Sequence, residues 1–260
     1  MAFPSSDRVV YGHNPLEQVI CQLKFPPVLR IESELPAKFQ EEVRSVYPVF
    51  SEPQTLSAGP EFPEEIMRLV GTLMPIRPTR VYEFATLDGQ WKLTLSRDFI
   101  ALVCLRYERW EIFVEHLRGP LRALAREYAP AFFSRVGLRY RNIIKRSVLG
   151  LTGVPWSELL KPHVSAELAS PIASSVEEAA HQVVVRLGQD EGKVKIHHGL
   201  MKTADMEECY LIDNDFFADG RTELKDADGK LDFFHAQSGR LFQWCVDNRL
   251  HAAMEPKVLL

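Results

Sequence analysis

Ser134 to Ser147 reads SRVGLRYRNIIKRS, and its alternation decides how the rest of the chain is assembled. A period of two places Val136, Leu138, Tyr140, Asn142 and Ile144 on one face and Arg135, Gly137, Arg139, Arg141, Ile143 and Lys145 on the other. The first face suits a core. The second carries three arginines and a lysine, too much charge to be buried alone. It therefore meets nucleic acid, an acidic partner, or an acidic part of the same chain.

The charge distribution bears on that choice. Residues 1 to 147 carry a balance of +3 and residues 148 to 260 a balance of −7, which together give the net charge of −4. The segment from Arg118 to Arg146 holds many basic residues and a single acid, Glu127, whereas Asp205 to Asp232 is rich in carboxylates and includes Asp213 and Asp215. Such asymmetry signals a nucleic-acid surface on one half, or two patches that face each other within the molecule or across a dimer.

Outward from the arginine strand, the pattern gives an element order. LEQVICQLKFPPVLRI (16 to 31) begins as a strand, bent or marked as an edge by Pro26 and Pro27. A helix from Leu35 to Tyr47 follows, with Leu35, Phe39, Val43 and Val46 as its apolar stripe. Six prolines between Pro48 and Arg80 predict an irregular segment with one short helix around Glu64 to Leu73. VYEFAT and WKLTLS flank Asp88-Gly89 as a hairpin, and FIALVCLRY reads as a central strand. A long helix then runs from Trp110 to Tyr128, and Gly119-Pro120 predicts a kink in it. After the arginine strand come a short helix near Pro155 to His163, a weaker helical candidate, SSVEEAAHQ, and three strands (182 to 187, 193 to 202, 208 to 217). One amphipathic helix from about Lys230 to Met254 closes the chain.

Both halves thus read strand, helix, three strands, long helix. That predicts an α+β fold with internally duplicated units, 1–133 and 134–260, within one continuous domain or two. A mostly antiparallel sheet would carry the long helices on one face, by analogy loosely like the TATA-binding protein or helix-grip folds. Fold analogy carries no function.

With 46% hydrophobic and 25% charged residues the chain has the composition of a globular protein. No apolar run approaches the roughly 20 residues that span a bilayer, and MAFPSSDRVVYGHNP lacks signal-peptide character, so the expected address is cytoplasmic, with no membrane partner. Cys21, Cys104, Cys209 and Cys245 have no metal-binding spacing and read as reduced core thiols.

NPLEQVICQLKFPPVLRI (Asn14 to Ile31), SRDFIALVCLRYERWE, GLRYRNI and LIDNDFF together resemble a sporadically distributed family of bacterial proteins of about this length with no assigned activity. The resemblance spans essentially the whole chain. It implies a bacterial cytosolic protein carried among mobile genes such as defence or toxin-antitoxin cassettes, and it supplies no catalytic or binding residues.

Chemistry must come from the residues themselves. Asp213 and Asp215 share one strand face about 7 Å apart and, with His197, His198 or His235, are candidate ligands for a divalent cation; a polar edge or turn cluster is the competing reading. His197 and His198 point to opposite faces and cannot chelate together. Phosphate-binding, dinucleotide-binding, nucleophile-elbow and zinc-helix motifs are all missing. Arg135, Arg139, Arg141, Lys145 and Arg146 are the main binding candidates. Ion pairing within the protein or between subunits ranks first for them, then an acidic protein partner, then nucleic acid. The expected role is a non-enzymatic binding or adaptor protein acting through a protein partner or homo-oligomer, without a cofactor. The alternatives are a nucleic-acid-binding defence component and a metal-dependent enzyme using Asp213 and Asp215.

Overall fold

In the computed structural model, residues 2–55, 80–189 and 191–259 are described. The predicted first strand is β2, Leu16–Lys24, which follows a short β1, Val9–Tyr11. Val19, Cys21 and Leu23 are buried from β2. Beyond Pro26 and Pro27 the chain does not stay extended: it turns into α1, Leu29–Ser33, which buries Ile31. α2, Ala37–Val43, buries Phe39 and Val43, while Leu35 and Val46 of the expected stripe stay exposed. The segment expected to be irregular opens with a strand, β3, Val49–Thr55; the helix expected around Glu64 to Leu73 lies outside the described residues.

β4, Arg80–Ala85, and β5, Trp91–Ser96, form the expected hairpin. Its turn needs Gly89 at φ +67°, and the Asp88 carboxylate accepts from the Thr86 hydroxyl at 2.6 Å and the Gln90 amide at 3.0 Å. After β6, Phe99–Cys104, α3 runs Trp110–Tyr128 with Pro120 inside it. A proline leaves the carbonyl four residues earlier without its helical donor. Here that carbonyl belongs to His116, and the Tyr47 hydroxyl donates to it at 3.0 Å. The helix therefore continues through Pro120.

β7, Phe133–Lys145, is the arginine strand. Short turns and α4, Pro162–Ser165, lead to β8, His181–Arg186, β9, Lys193–Lys202, and β10, Glu208–Thr222. The helix expected over SSVEEAAHQ is not formed: the Ala179 amide instead bonds the Leu200 carbonyl at 3.2 Å, drawing the segment toward the sheet. α5, Ala227–Cys245, and α6, Asn248–Ala253, replace the single closing helix. The break falls where Val246 bridges Leu160 and the Asp247 amide bonds the Leu159 carbonyl at 2.8 Å. β11, Pro256–Val258, then pairs with β1.

The fold is α+β, with a nine-stranded antiparallel sheet in the order β3-β4-β5-β6-β2-β7-β10-β9-β8. The sheet runs unbroken across the junction of the two halves through β2 and β7. Outward from that pair, β6, β5 and β4 follow on one side as β10, β9 and β8 do on the other, and long helices α3 and α5 follow β6 and β10 in the chain. β3 is a fourth strand after the first-half helices where the sequence pattern predicts three. Among the described residues no helix is long and apolar enough to cross a membrane.

The core is one cluster between the sheet and the helices, and it includes Val19, Leu138, Phe216, Phe113 and Phe234. All four cysteines are free and buried. Burial pushes the Cys104 thiol up to about 11 and the Cys245 thiol to about 12, so both are unreactive at neutral pH.

Candidate functional site

The charged face of β7 is met by carboxylates. Antiparallel pairing sets Arg141, Arg139 and Arg135 opposite Asp213, Asp215 and Asp219 of β10. Arg139 reaches diagonally to Asp213, Nε to Oδ1 at 2.8 Å and Nη2 to Oδ2 at 2.5 Å, a two-pronged pair. Arg135 holds Asp215 at 3.2 Å and Asp219 at 2.9 Å, with its guanidinium 4.0 Å from the Phe217 ring centre. Arg141 turns to β2 and pairs with Glu17 at 3.0 Å. Lys145 extends from the same face within electrostatic range of Asp205.

Arg146 leaves this ribbon. It bonds Glu208 at 2.5 Å and the Val154 carbonyl at 2.6 Å, and lies over the Trp156 ring, whose Nε1 donates to the same Glu208. That cluster ties the connection after β7 to the start of β10.

Asp213 and Asp215 do share a face. Asp213 is only 4% exposed, so its charge needs a partner, and Arg139 supplies it. Burial raises the Asp215 carboxyl, while Arg135 and Arg139 act to lower it. His197 lies opposite Asp213 on β9. His198 points to the helix side, where its Nδ1 is hydrogen-bonded to the Tyr210 hydroxyl at 2.8 Å; burial, then His181, lowers it to about 4. His235 is remote from both aspartates in the chain's architecture and belongs to α5. Among the described residues no group of three or more His, Cys, Asp or Glu side chains is arranged to hold a metal ion.

A second site lies on the opposite side of the sheet. Above β7 and β10, between the start of α3 and the middle of α5, is a cavity of about 370 Å³. Its lining includes Tyr140 and Asn142 of β7, Asn214 of β10, Trp110 of α3, His235 and Ser238 of α5, and the segment around β1. The volume falls in the range of small-molecule pockets.

The two helices are joined at this cavity. Trp110 Nε1 donates to Asp232 at 2.7 Å, and the Trp110 ring stacks on His235, centroids 4.6 Å apart. The Tyr140 hydroxyl is hydrogen-bonded to His235 Nδ1 at 2.9 Å. On the other side β1 forms a strap. Arg8 pairs with Glu111 of α3 at 2.7 Å, the Asp7 carbonyl accepts from Gln243 of α5 at 2.8 Å, and Tyr11 meets Phe242 edge-on while its hydroxyl bonds His251 at 2.9 Å.

His235 and Tyr140 are uncharged at neutral pH, although Asp7, Arg8, Glu108, Arg109, Asp232 and Arg240 also line the cavity. Burial, then Arg8, lowers His235 to about 4, and burial pushes the Tyr140 hydroxyl well above its ordinary value. Asn142 spends its amide on the Ile212 carbonyl at 3.1 Å. Asn214 does not: it is 1% exposed, and neither its amide oxygen nor its amide nitrogen has a hydrogen-bond partner. A buried amide without partners costs free energy unless something else satisfies it.

No protein-family model and no curated protein matches this chain.

The cavity gives no motif in the sequence. Its residues come from β1, β7, β10, α3 and α5, which are brought together only by the strand order. One signal was present: Asn142 and Asn214 are polar residues on strand faces otherwise built from Val136, Leu138, Ile144, Ile212 and Phe216.

Proposed function

We propose that the protein is a non-enzymatic binding protein that holds a small molecule in the cavity between its two long helices. The observation that carries this reading is the pocket-sized cavity itself, about 370 Å³ and walled by Tyr11, Tyr107, Trp110, Tyr140 and Phe242. The titratable pair beside it supports binding over proton transfer. A general acid or base works best with a pKa near the operating pH, and His235 and Tyr140 are displaced in opposite directions away from neutrality.

The scaffold is, on this reading, two copies of one strand-helix-strands-helix unit, 1–133 and 134–260, meeting at β2 and β7. The mirrored strand order and the matching places of α3 and α5 support the duplication. The cavity then sits where the two units join. Ligand would report to a protein partner or a second copy through the strap and the helices. The arginine ribbon is structural, since Arg135, Arg139 and Arg141 are each within ion-pair distance of a carboxylate. A place in a defence or toxin-antitoxin cassette draws on the resemblance alone and adds nothing to the cavity's chemistry.

Native mass spectrometry of the purified chain, before and after denaturation and dialysis, tests the reading. A small molecule that leaves on denaturation and is absent from a Gly239→Trp preparation, whose indole has room to fill the cavity, is the expected result. Identical occupancy in both proteins, or no small molecule in either, would overturn the reading.

A further inference from the structure

We infer that β8 is an interface between two copies of this chain, joined edge to edge as antiparallel strands about a two-fold axis, with Arg186 of each copy opposite Glu178 of the other. β8 contributes nothing to the cavity lining, so this interface stands or falls separately from the binding reading.

The two edges of the nine-stranded sheet differ. β3, at one end, contains Pro53 and a register break between Ser51 and Gln54; proline and bulges are means by which an edge strand is kept from pairing further. β8, at the other end, has neither, and its register against β9 is continuous from His181 to Arg186. Its centre is Val183-Val184-Val185, without a charge, and Val183 and Val184 are 49% and 54% exposed on opposite faces.

The backbone adds a direction. Leu187 N donates to the Gly192 carbonyl at 3.0 Å and Ala179 N to the Leu200 carbonyl at 3.2 Å, both in the register of the β8–β9 pairs. Antiparallel bonding alternates, so Val183 and Val185 turn their backbone groups toward β9. Gln182, Val184 and Arg186 turn theirs outward, with no strand beyond them among the described residues. A two-fold pairing must match outward residues with outward residues. Centred on Val184 it sets Arg186 opposite Gln182, and centred on Val183 it sets Arg186 opposite Ala180. Centred on Gln182 it sets Arg186 opposite Glu178 at both ends and overlaps the most chain of the three. Directly opposed side chains share a face, where opposite charges attract. Both residues are exposed, and neither is in an ion pair among the described residues. Exposed pairs are weak, so they choose the register, while strand addition and burial of the valines hold the copies together.

Sedimentation velocity of the full chain across a concentration series, with amide hydrogen exchange on the same samples, tests the interface. The expected wild type is a dimer in which the Gln182, Val184 and Arg186 amides exchange slowly. Val184→Pro removes an outward amide that makes no bond to β9, so it should be monomeric, with Gln182 and Arg186 exchanging fast while Val183 and Val185 stay protected. Val184→Lys, a charge on the bare edge, should separate the copies in the same way if the proline variant does not fold. Arg186→Glu should weaken dimerisation about tenfold or more, and adding Glu178→Arg should restore it. A wild type that stays monomeric throughout would overturn the proposal, as would one whose outward amides become protected only when a different protein is added. A dimer that survives in the folded Val184 variants would overturn β8 as its interface, and a dimer indifferent to Arg186→Glu would overturn the register.

Discussion

Replacing Asn214 by leucine should stabilise the ligand-free protein. The two side chains branch alike and have the same number of heavy atoms, and the native amide is 1% exposed with no partner at either end. Burying an unpaired amide costs about 1–3 kcal/mol by protein mutational data, so removing it should return a comparable amount. For a chain of this size that corresponds to a rise in melting temperature of roughly 2–6 °C. Asn142→Leu is the internal control. It changes the same residue type on the same face of the neighbouring strand, but Asn142 donates to the Ile212 carbonyl, so its loss should cost about 1 kcal/mol. Thermal and urea unfolding at pH 7 would measure both. Opposite signs support the reasoning. A loss of more than about 1 kcal/mol in Asn214→Leu would show that this amide is a structural hydrogen-bonding group, and the argument from its vacancy would fail.

Three other outcomes are expected. Arg139→Met should destabilise by about 3–5 kcal/mol in urea unfolding, because it strands the buried Asp213 carboxylate, and adding Asp213→Leu should recover most of that loss; a single-variant cost below about 1 kcal/mol would mean that the pair is dispensable. Stability should fall as pH drops from about 6.5 toward 4. His235, lowered to about 4, binds fewer protons folded than unfolded across that window, which contributes a slope of up to about 1.4 kcal/mol per pH unit. His235→Gln should give a shallower profile, and an unchanged slope would contradict the assignment. Fluorescence anisotropy with single-stranded DNA at low salt should show no binding that distinguishes the wild type from Arg139→Glu/Arg141→Glu, whereas steeply salt-dependent binding lost in that variant would reopen the nucleic-acid reading.

Much of the scaffold was legible because its signals are local. The Asp88-Gly89 turn fixed one hairpin, and strict alternation from Arg135 to Lys145 fixed both the strand and the side on which its charges lie. Opposed charge in the two halves pointed to pairing of the arginines with Asp213 and Asp215, although not to its diagonal register or to the Arg135–Asp219 pair. What escaped the sequence depended on distant partners. Pro120 keeps its helix because Tyr47, far away in the chain, donates to His116. The closing helix breaks because Asp247 is drawn to the 159–161 segment, where Lys161 also holds its carboxylate at 2.9 Å. β1 and β11 are three-residue strands that exist only through each other. The cavity escaped for the same reason. Asn214 reads in the sequence as one more polar residue in a run with Asp213 and Asp215, and only the fold shows that its amide is buried at the edge of the cavity.

The central claim is that a small molecule enters the cavity between the two long helices, and side-chain NMR of the labelled chain tests it most directly. During titration with the molecule released on denaturation, the Trp110 Nε1 signal should shift and saturate while the Arg139 Nε signal stays in place. Shifts confined to the arginine face, with Trp110 unmoved at saturation, would contradict it.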